Sequence, residues 1–169
     1  MRSPLPTIGL HRLAILAFLA LGAGSLRARP PTSPIAWSVP SATVTVAAGG
    51  TIRVEVSANI DDGWPLHSLR QPSPPDPTRI AVPEGQPVVR GGKIEAPVPK
   101  SAFDRAQGAD TEYYVELVTF SVPLSVARMT APGKHAARIK TTRQACGGSI
   151  YLRPRTATLE VPLQVTTAK

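Results

Sequence analysis

The sequence predicts an all-β domain, an immunoglobulin-like sandwich of two sheets, on three observations. Apolar residues recur at every second position in several long stretches, which is the period of a strand that buries one face and wets the other. Clusters of Gly, Pro and Asp interrupt those stretches at hairpin-like intervals. Beyond residue 28 no stretch repeats its apolar residues with the period of a helix. The 169 residues are one domain's worth of chain.

Residues 1–28 read as a secretory signal peptide. Arg2 and Arg12 precede the apolar run Leu13–Leu21, no acidic residue occurs, and small residues come after it at Gly22, Ala23, Gly24, Ser25 and Ala28. The run is shorter than the roughly 20 residues a membrane span needs, and cleavage is expected after Ser25 or Ala28. Residues 29–34, rich in proline, read as an extended and exposed linker, and 35–169 as the β domain. Of the 19 basic residues, Arg2, Arg12 and Arg27 leave with the leader, so the formal charge of +8 falls to +5 against 11 acidic residues. The remaining cations are scattered with little aromatic interleaving, which gives nucleic-acid binding only weak support. An exported chain meets oxidising conditions, yet its single cysteine allows no internal disulfide.

Ile35–Val39 is a short opening strand on which Trp37 serves as a lid on the core. Thr43–Val46 is a second, closed by the turn residues Ala48-Gly49-Gly50. In Thr51–Ile60 the residues Ile52, Val54, Val56, Ala58 and Ile60 share one face. Asp61-Asp62-Gly63 ends that strand, and Gly63–Thr78 is expected to be an irregular crossing, because four of the seven residues from Pro72 to Thr78 are proline and no helix runs through such a stretch. Short strands are expected at Arg79–Val82 and Pro87–Val89 around the turn Pro83-Glu84-Gly85. Gly91–Pro99 is a loop or an edge strand, and Ser101–Asp110 is polar with Phe103 as its one anchor. Tyr114, Val118, Phe120, Val122, Leu124 and Val126 alternate, broken at Glu116, and mark the longest strand expected. Pro132-Gly133 turns the chain back. Ala137, Ile139 and Thr141 lead toward Cys146, and Ala157, Leu159, Val161, Leu163 and Val165 form the most regular strand of all. Cys146 ends the first of these two strands, just before the connection Gly147–Pro154. A lone cysteine there is either a small buried hydrophobe or a thiol presented to a partner at a strand end.

Trp37-Ser38-Val39, the run Ala58–Leu69 with Gly63-Trp64 at its turn, Gln71-Pro72, Pro77–Ile80, Phe103-Asp104, Thr111–Tyr114 and Gln144-Ala145-Cys146 occur in one order and at one spacing. In this the chain, from Trp37 to Val165, resembles the N-terminal periplasmic domain of DsbD-type thiol:disulfide interchange proteins. The resemblance implies an immunoglobulin-like sandwich that passes electrons between an integral-membrane redox domain and periplasmic thioredoxin-fold partners through two cysteines. One thiolate attacks the partner's disulfide and the second resolves the mixed disulfide. Cys146 matches the first cysteine. Tyr151 stands where the second belongs; after it Leu152 and Pro154 match the family's sequence, and Arg153 replaces a proline. The resemblance also implies a cap loop at Phe103–Tyr114, in which Gln107 precedes Gly108 where the family carries an aromatic. Trp37, Gly63 and Trp64 match its structural motif, and His67 stands within it where the family has Tyr or a similar residue, which implies a structural role.

Three functions are compatible with this reading. The first is a non-catalytic interaction or accessory module of periplasmic thiol–disulfide or cytochrome-maturation systems. Such a module would bind a periplasmic thioredoxin-fold protein or a membrane redox protein through Tyr151, Leu152, Pro154, Phe103, Tyr113 and Tyr114. The second is a single-thiol electron relay in which Cys146 borrows a resolving thiol from its partner. The third is a carrier of a metal or small molecule using His67 and His135, although these, with Met129 and Cys146, do not stand at metal-ligand spacing. No cofactor is implied. No Ser/His/Asp constellation and no Gly-rich loop ahead of a helix supports a hydrolase or a nucleotide-binding protein.

Overall fold

The computed structural model describes residues 33–168, apart from 106 and 149. The predicted leader and residues 29–32 of the linker lie outside the described residues. The strands in chain order are β1 (Ile35–Ser38), β2 (Val44–Ala47), β3 (Thr51–Ile60), β4 (Leu66–His67), β5 (Arg79–Ala81), β6 (Val88–Arg90), β7 (Lys100–Asp104), β8 (Ala109–Tyr114), β9 (Leu117–Val126), β10 (Gly133–Arg143), β11 (Cys146–Gly147), β12 (Ile150–Tyr151) and β13 (Arg155–Thr166). Among the described residues all regular structure is β, and no helix is long and apolar enough to cross a membrane.

Two four-stranded sheets, β1-β3-β9-β6 and β2-β13-β10-β5, face each other across one core. The alternation in the sequence dictates this. In β3 the residues Val54, Val56, Ala58 and Ile60 are buried while Arg53, Glu55 and Asn59 are exposed, and β9 answers with Val118, Phe120, Val122 and Leu124. In the opposite sheet Ala137, Ile139, Val161, Leu163 and Val165 are almost fully buried. Each such Val, Leu, Ile or Phe side chain contributes roughly 1.5–3 kcal/mol by leaving water. Phe120 is the hub: Tyr114 meets it edge-on at 5.6 Å, and Trp37 covers it at 6.1 Å.

Four expectations are corrected. The alternation from Tyr114 to Val126 is two strands in different sheets, because Glu116 adopts a left-handed backbone (φ 62°) and its carbonyl accepts from the Ile60 N–H at 2.7 Å. The chain thereby leaves the small sheet β4-β8-β7 and enters β9, and the longest strand is β13. The Gly63–Thr78 crossing is irregular except for β4, which pairs Leu66 with Tyr114 and His67 with Tyr113. The polar stretch around Phe103 is the β7–β8 hairpin, and Phe103 is 63% exposed, so it anchors nothing in the core. Ser33 and Pro34, counted with the exposed linker, are half-buried: the Pro34 carbonyl accepts from the Asp61 N–H, and the Ser33 hydroxyl accepts from the Arg143 guanidinium.

Candidate functional site

β10 stops at Arg143, and the chain then makes a small hairpin of its own before β13 begins. In it Cys146 faces Tyr151 and Gly147 faces Ile150. Gly148 takes the left-handed conformation (φ 55°) that so tight a reversal demands. The Leu152 N–H donates to the Ala145 carbonyl at 2.9 Å, which extends the ladder by one pair. Residues facing each other in an antiparallel pair have Cα atoms about 4.5–5.5 Å apart and side chains on one side. The Tyr151 ring therefore stands beside the Cys146 thiol, at a separation within disulfide range.

Three elements hold the hairpin in place. The Asp61–Trp64 turn, closed by the Trp64 N–H donating to the Asp61 carbonyl at 3.1 Å, brings the indole against Gly147. A Cβ on Gly147 would lie 3.0 Å from Trp64 Cε3 and 3.1 Å from the Gly63 carbonyl oxygen, so any larger residue would require the indole or the turn to shift by a few tenths of an ångström. From the β7–β8 hairpin, Asp104 accepts the Tyr151 hydroxyl proton on Oδ2 at 3.0 Å and the Gln107 N–H on Oδ1 at 3.3 Å, tying the cap tip to the cysteine hairpin. From the proline-rich crossing, the Asp76 N–H donates to Gln144 Oε1 at 3.1 Å. Beneath them Leu66 bridges to Ala145, and the Thr78 hydroxyl donates to the His67 carbonyl at 2.6 Å. On the other face of β8, Glu112 takes a two-pronged contact from Arg70 at 3.0 and 3.1 Å and a bond from the Ser68 hydroxyl at 2.9 Å. The Ser68 and Arg70 hydrogen bonds lower the Glu112 carboxyl below its ordinary range.

The electrostatics oppose nucleophilic chemistry. Cys146 is 6% exposed. Burial first, and then the Asp104 and Asp76 carboxylates, push its thiol up to about 11. At neutral pH the thiolate fraction is then on the order of one in ten thousand, whereas reactive cysteines sit beside cations that lower the thiol's pKa. His67 is also buried; desolvation lowers its pKa, outweighing the Asp104 charge that raises it. A neutral imidazole offers the thiol no counter-charge.

No protein-family model and no curated protein matches the sequence. Among solved structures, the reduced DsbD N-terminal domain of Neisseria meningitidis matches with a TM-score of 0.52 at 14% identity, covering 79% of this chain and 89% of that one. The N-terminal periplasmic domain of ScsB from Proteus mirabilis matches with a TM-score of 0.52 at 12% identity, covering 75% of this chain and 44% of that one. The fold is that of DsbD N-terminal domains. This is the immunoglobulin-like sandwich expected from the alternation.

Within this DsbD-type sandwich the predicted site residues divide. Cys146, Tyr151, Leu152, Gly63, Trp64 and His67 come together at one end, with Tyr151 and Leu152 half-buried and Pro154 exposed. Tyr113 lies half-buried opposite His67. Tyr114 points the other way, 7% exposed against Phe120 with its hydroxyl donating to the Pro97 carbonyl, so it belongs to the core and not to a surface patch. Trp37 packs on Phe120 as a lid. Of the two readings of Cys146, a small buried hydrophobe or a thiol presented at a strand end, the structure has the buried one. His67 and His135 do not form a joint site: His67 lies beside the Cys146 hairpin, while His135 lies at the far end of β10, where it faces Leu163. Eight residues of strand separate His135 from Arg143, roughly 27 Å. Asp104 and Gly147 were not singled out. Each carries a sequence signal, Asp104 by its place after Phe103 in the shared motif and Gly147 by its place after the cysteine, but their partners, Tyr151 and Trp64, are remote in the chain.

Proposed function

We propose that this chain is an exported accessory domain of a thiol–disulfide exchange system, one that docks a redox partner without itself carrying electrons. The observation that carries the reading is the Cys146–Tyr151 pair. A tyrosine tied to Asp104 occupies the position facing the only cysteine, and that cysteine is buried with its thiol near 11. A two-thiol relay lacks its resolving partner here, and a one-thiol relay lacks its thiolate. The fold shared with the DsbD and ScsB domains supports placement in such a system, and the Met1–Ala28 pattern supports export to the periplasm.

The docking surface in this reading is the end formed by the Cys146–Pro154 and Phe103–Tyr114 segments. Phe103 and Ile150 are 63% and 57% exposed there, large apolar side chains at the margins of two hairpins that the Asp104–Tyr151 bond joins. The partner class is a periplasmic thioredoxin-fold protein or the periplasmic face of a membrane redox protein. The test is disulfide exchange between the purified domain and thioredoxin, monitored with thiol trapping. The native domain is expected to show negligible exchange, and Cys146→Ser is expected to change neither folding nor binding. Electron transfer by the native domain that vanishes in Cys146→Ser would establish the single-thiol relay instead.

A further inference from the structure

A second surface lies away from the cysteine end. Between the edge strands of the two sheets runs an open cleft of about 1080 Å³, walled on one side by Thr78–Ala81 of the β5 edge and on the other by the Gly92–Pro99 segment that comes after β6. Among the described residues none from 145 to 154 lines it. Each wall consists of consecutive residues, so main chain as well as side chains faces the space. Strand β5 ends its sheet and pairs with β10 alone among the described residues, which leaves the hydrogen-bonding groups of its outer edge without a strand partner. The floor is apolar, with Ile80, Ile94, Leu69 and Tyr114.

The rim is cationic. Arg79 stands on one wall, and Arg90 and Lys93 on the other; all three are exposed and make no ion pair among the described residues. The other two charged groups at the cleft are already committed, Arg70 to Glu112 at 3.0 Å and Glu95 to Arg53 at 2.9 Å. The net field therefore favours an anionic occupant. A second copy of this chain docked cleft to cleft would bring the same three cations to the contact. Residues 1–32 would bring Arg2, Arg12, Arg27 and Arg29 with no acidic residue. Neither complements the rim.

We propose that this cleft binds an extended acidic peptide segment of a partner protein, added as a further strand along β5. In an extended peptide alternate side chains point to opposite sides. Apolar residues at every second position would then lie on the Ile80–Ile94 floor while the acidic residues between them meet Arg79, Arg90 and Lys93. Main-chain bonds supply affinity, and the alternation supplies specificity. This interface goes beyond the docking end at Cys146 and stands independently of it.

The test is fluorescence anisotropy of the full chain with a labelled peptide of alternating Glu and Val, about eight residues or roughly 27 Å long when extended. Saturable binding that weakens with added salt is expected. The variant Arg79→Gln/Arg90→Gln/Lys93→Gln, altered only at exposed positions, is expected to bind about tenfold more weakly. The same peptide N-methylated at alternate amides, which removes its ladder donors, is expected not to bind. Equal binding of a Lys/Val peptide, or unchanged affinity in the triple variant, would overturn the charge assignment. Undiminished binding of the N-methylated peptide would overturn strand addition. Binding to phosphatidylglycerol vesicles that is lost in the triple variant, while the Glu/Val peptide fails to bind, would assign the cleft to a lipid surface and overturn the proposal. Because Cys146→Ser leaves the cleft untouched, peptide binding is expected to survive it, which separates this outcome from that of the accessory-domain reading.

Discussion

In the sandwich body β10 and β13 run side by side through eleven facing pairs, and Ala137, Ile139, Thr141, Val161, Leu163 and Val165 on their inward side are buried. At the Cys146 end the longest ladder is the five pairs of β7 with β8, and the elements meet through single polar contacts: Tyr151 to Asp104, Asp76 to Gln144, Thr78 to His67. The body is held by apolar area and the end by directional bonds. Area is summed over many residues and tolerates the loss of one bond, whereas a polar tether fixes one geometry and releases it when one atom is removed. A domain of this kind can keep its sandwich while the chemistry of such an end changes.

The largest effect is expected in the body. Phe120→Ala removes the ring on which Trp37 and Tyr114 pack, and is expected to cost about 3–5 kcal/mol in a urea titration. A cost under about 1 kcal/mol would mean that the body does not rest on this hub. Next comes the alkaline response. The Cys146 thiol is raised in the folded state to about 11 from an ordinary value of 9.0, so the folded protein holds that proton more tightly than the unfolded chain does. The stabilisation is therefore fully present below pH 9 and is lost as pH climbs from about 9 to about 11, on the order of 2–3 kcal/mol. Burial also raises Tyr114, so the measurement is the difference between wild type and Cys146→Ala in denaturation across that range, and parallel curves would contradict the assignment.

Smaller effects sharpen the picture of the end. Tyr151→Cys is expected to close a disulfide with Cys146, read as loss of both free thiols and retention of the β-type circular dichroism spectrum; persistent free thiols under mild oxidation would show that the pair is not in bonding register. Tyr151→Phe is expected to cost about 1 kcal/mol and to speed amide exchange at the Phe103–Tyr114 hairpin more than in the body. The smallest change is expected from Glu95→Gln, which removes an exposed pair with Arg53 worth at most about 0.5 kcal/mol. A larger loss would make that surface contact part of the body's support.

The amino-acid sequence by itself determined the sandwich. Strand alternation is local information: Val54 and Val56, or Leu163 and Val165, declare a buried face whatever they pack against. It also determined that no internal disulfide exists and, through the resemblance, that Tyr151 belongs opposite Cys146. Tertiary structure alone decided the rest. That Tyr114 faces inward while Tyr113 does not depends on which sheet β8 joins, and Glu116 redirects the chain in a conformation that a glutamate seldom adopts. The height of the Cys146 thiol pKa arises first from its burial and then from the Asp104 and Asp76 carboxylates, all of them brought to it by folding. The basic cleft takes Arg79 from one sheet edge and Arg90 from the other. Alternation fixes which way a side chain points, but charge and burial at a site are sums over neighbours in space, and those neighbours exist only once the chain has closed.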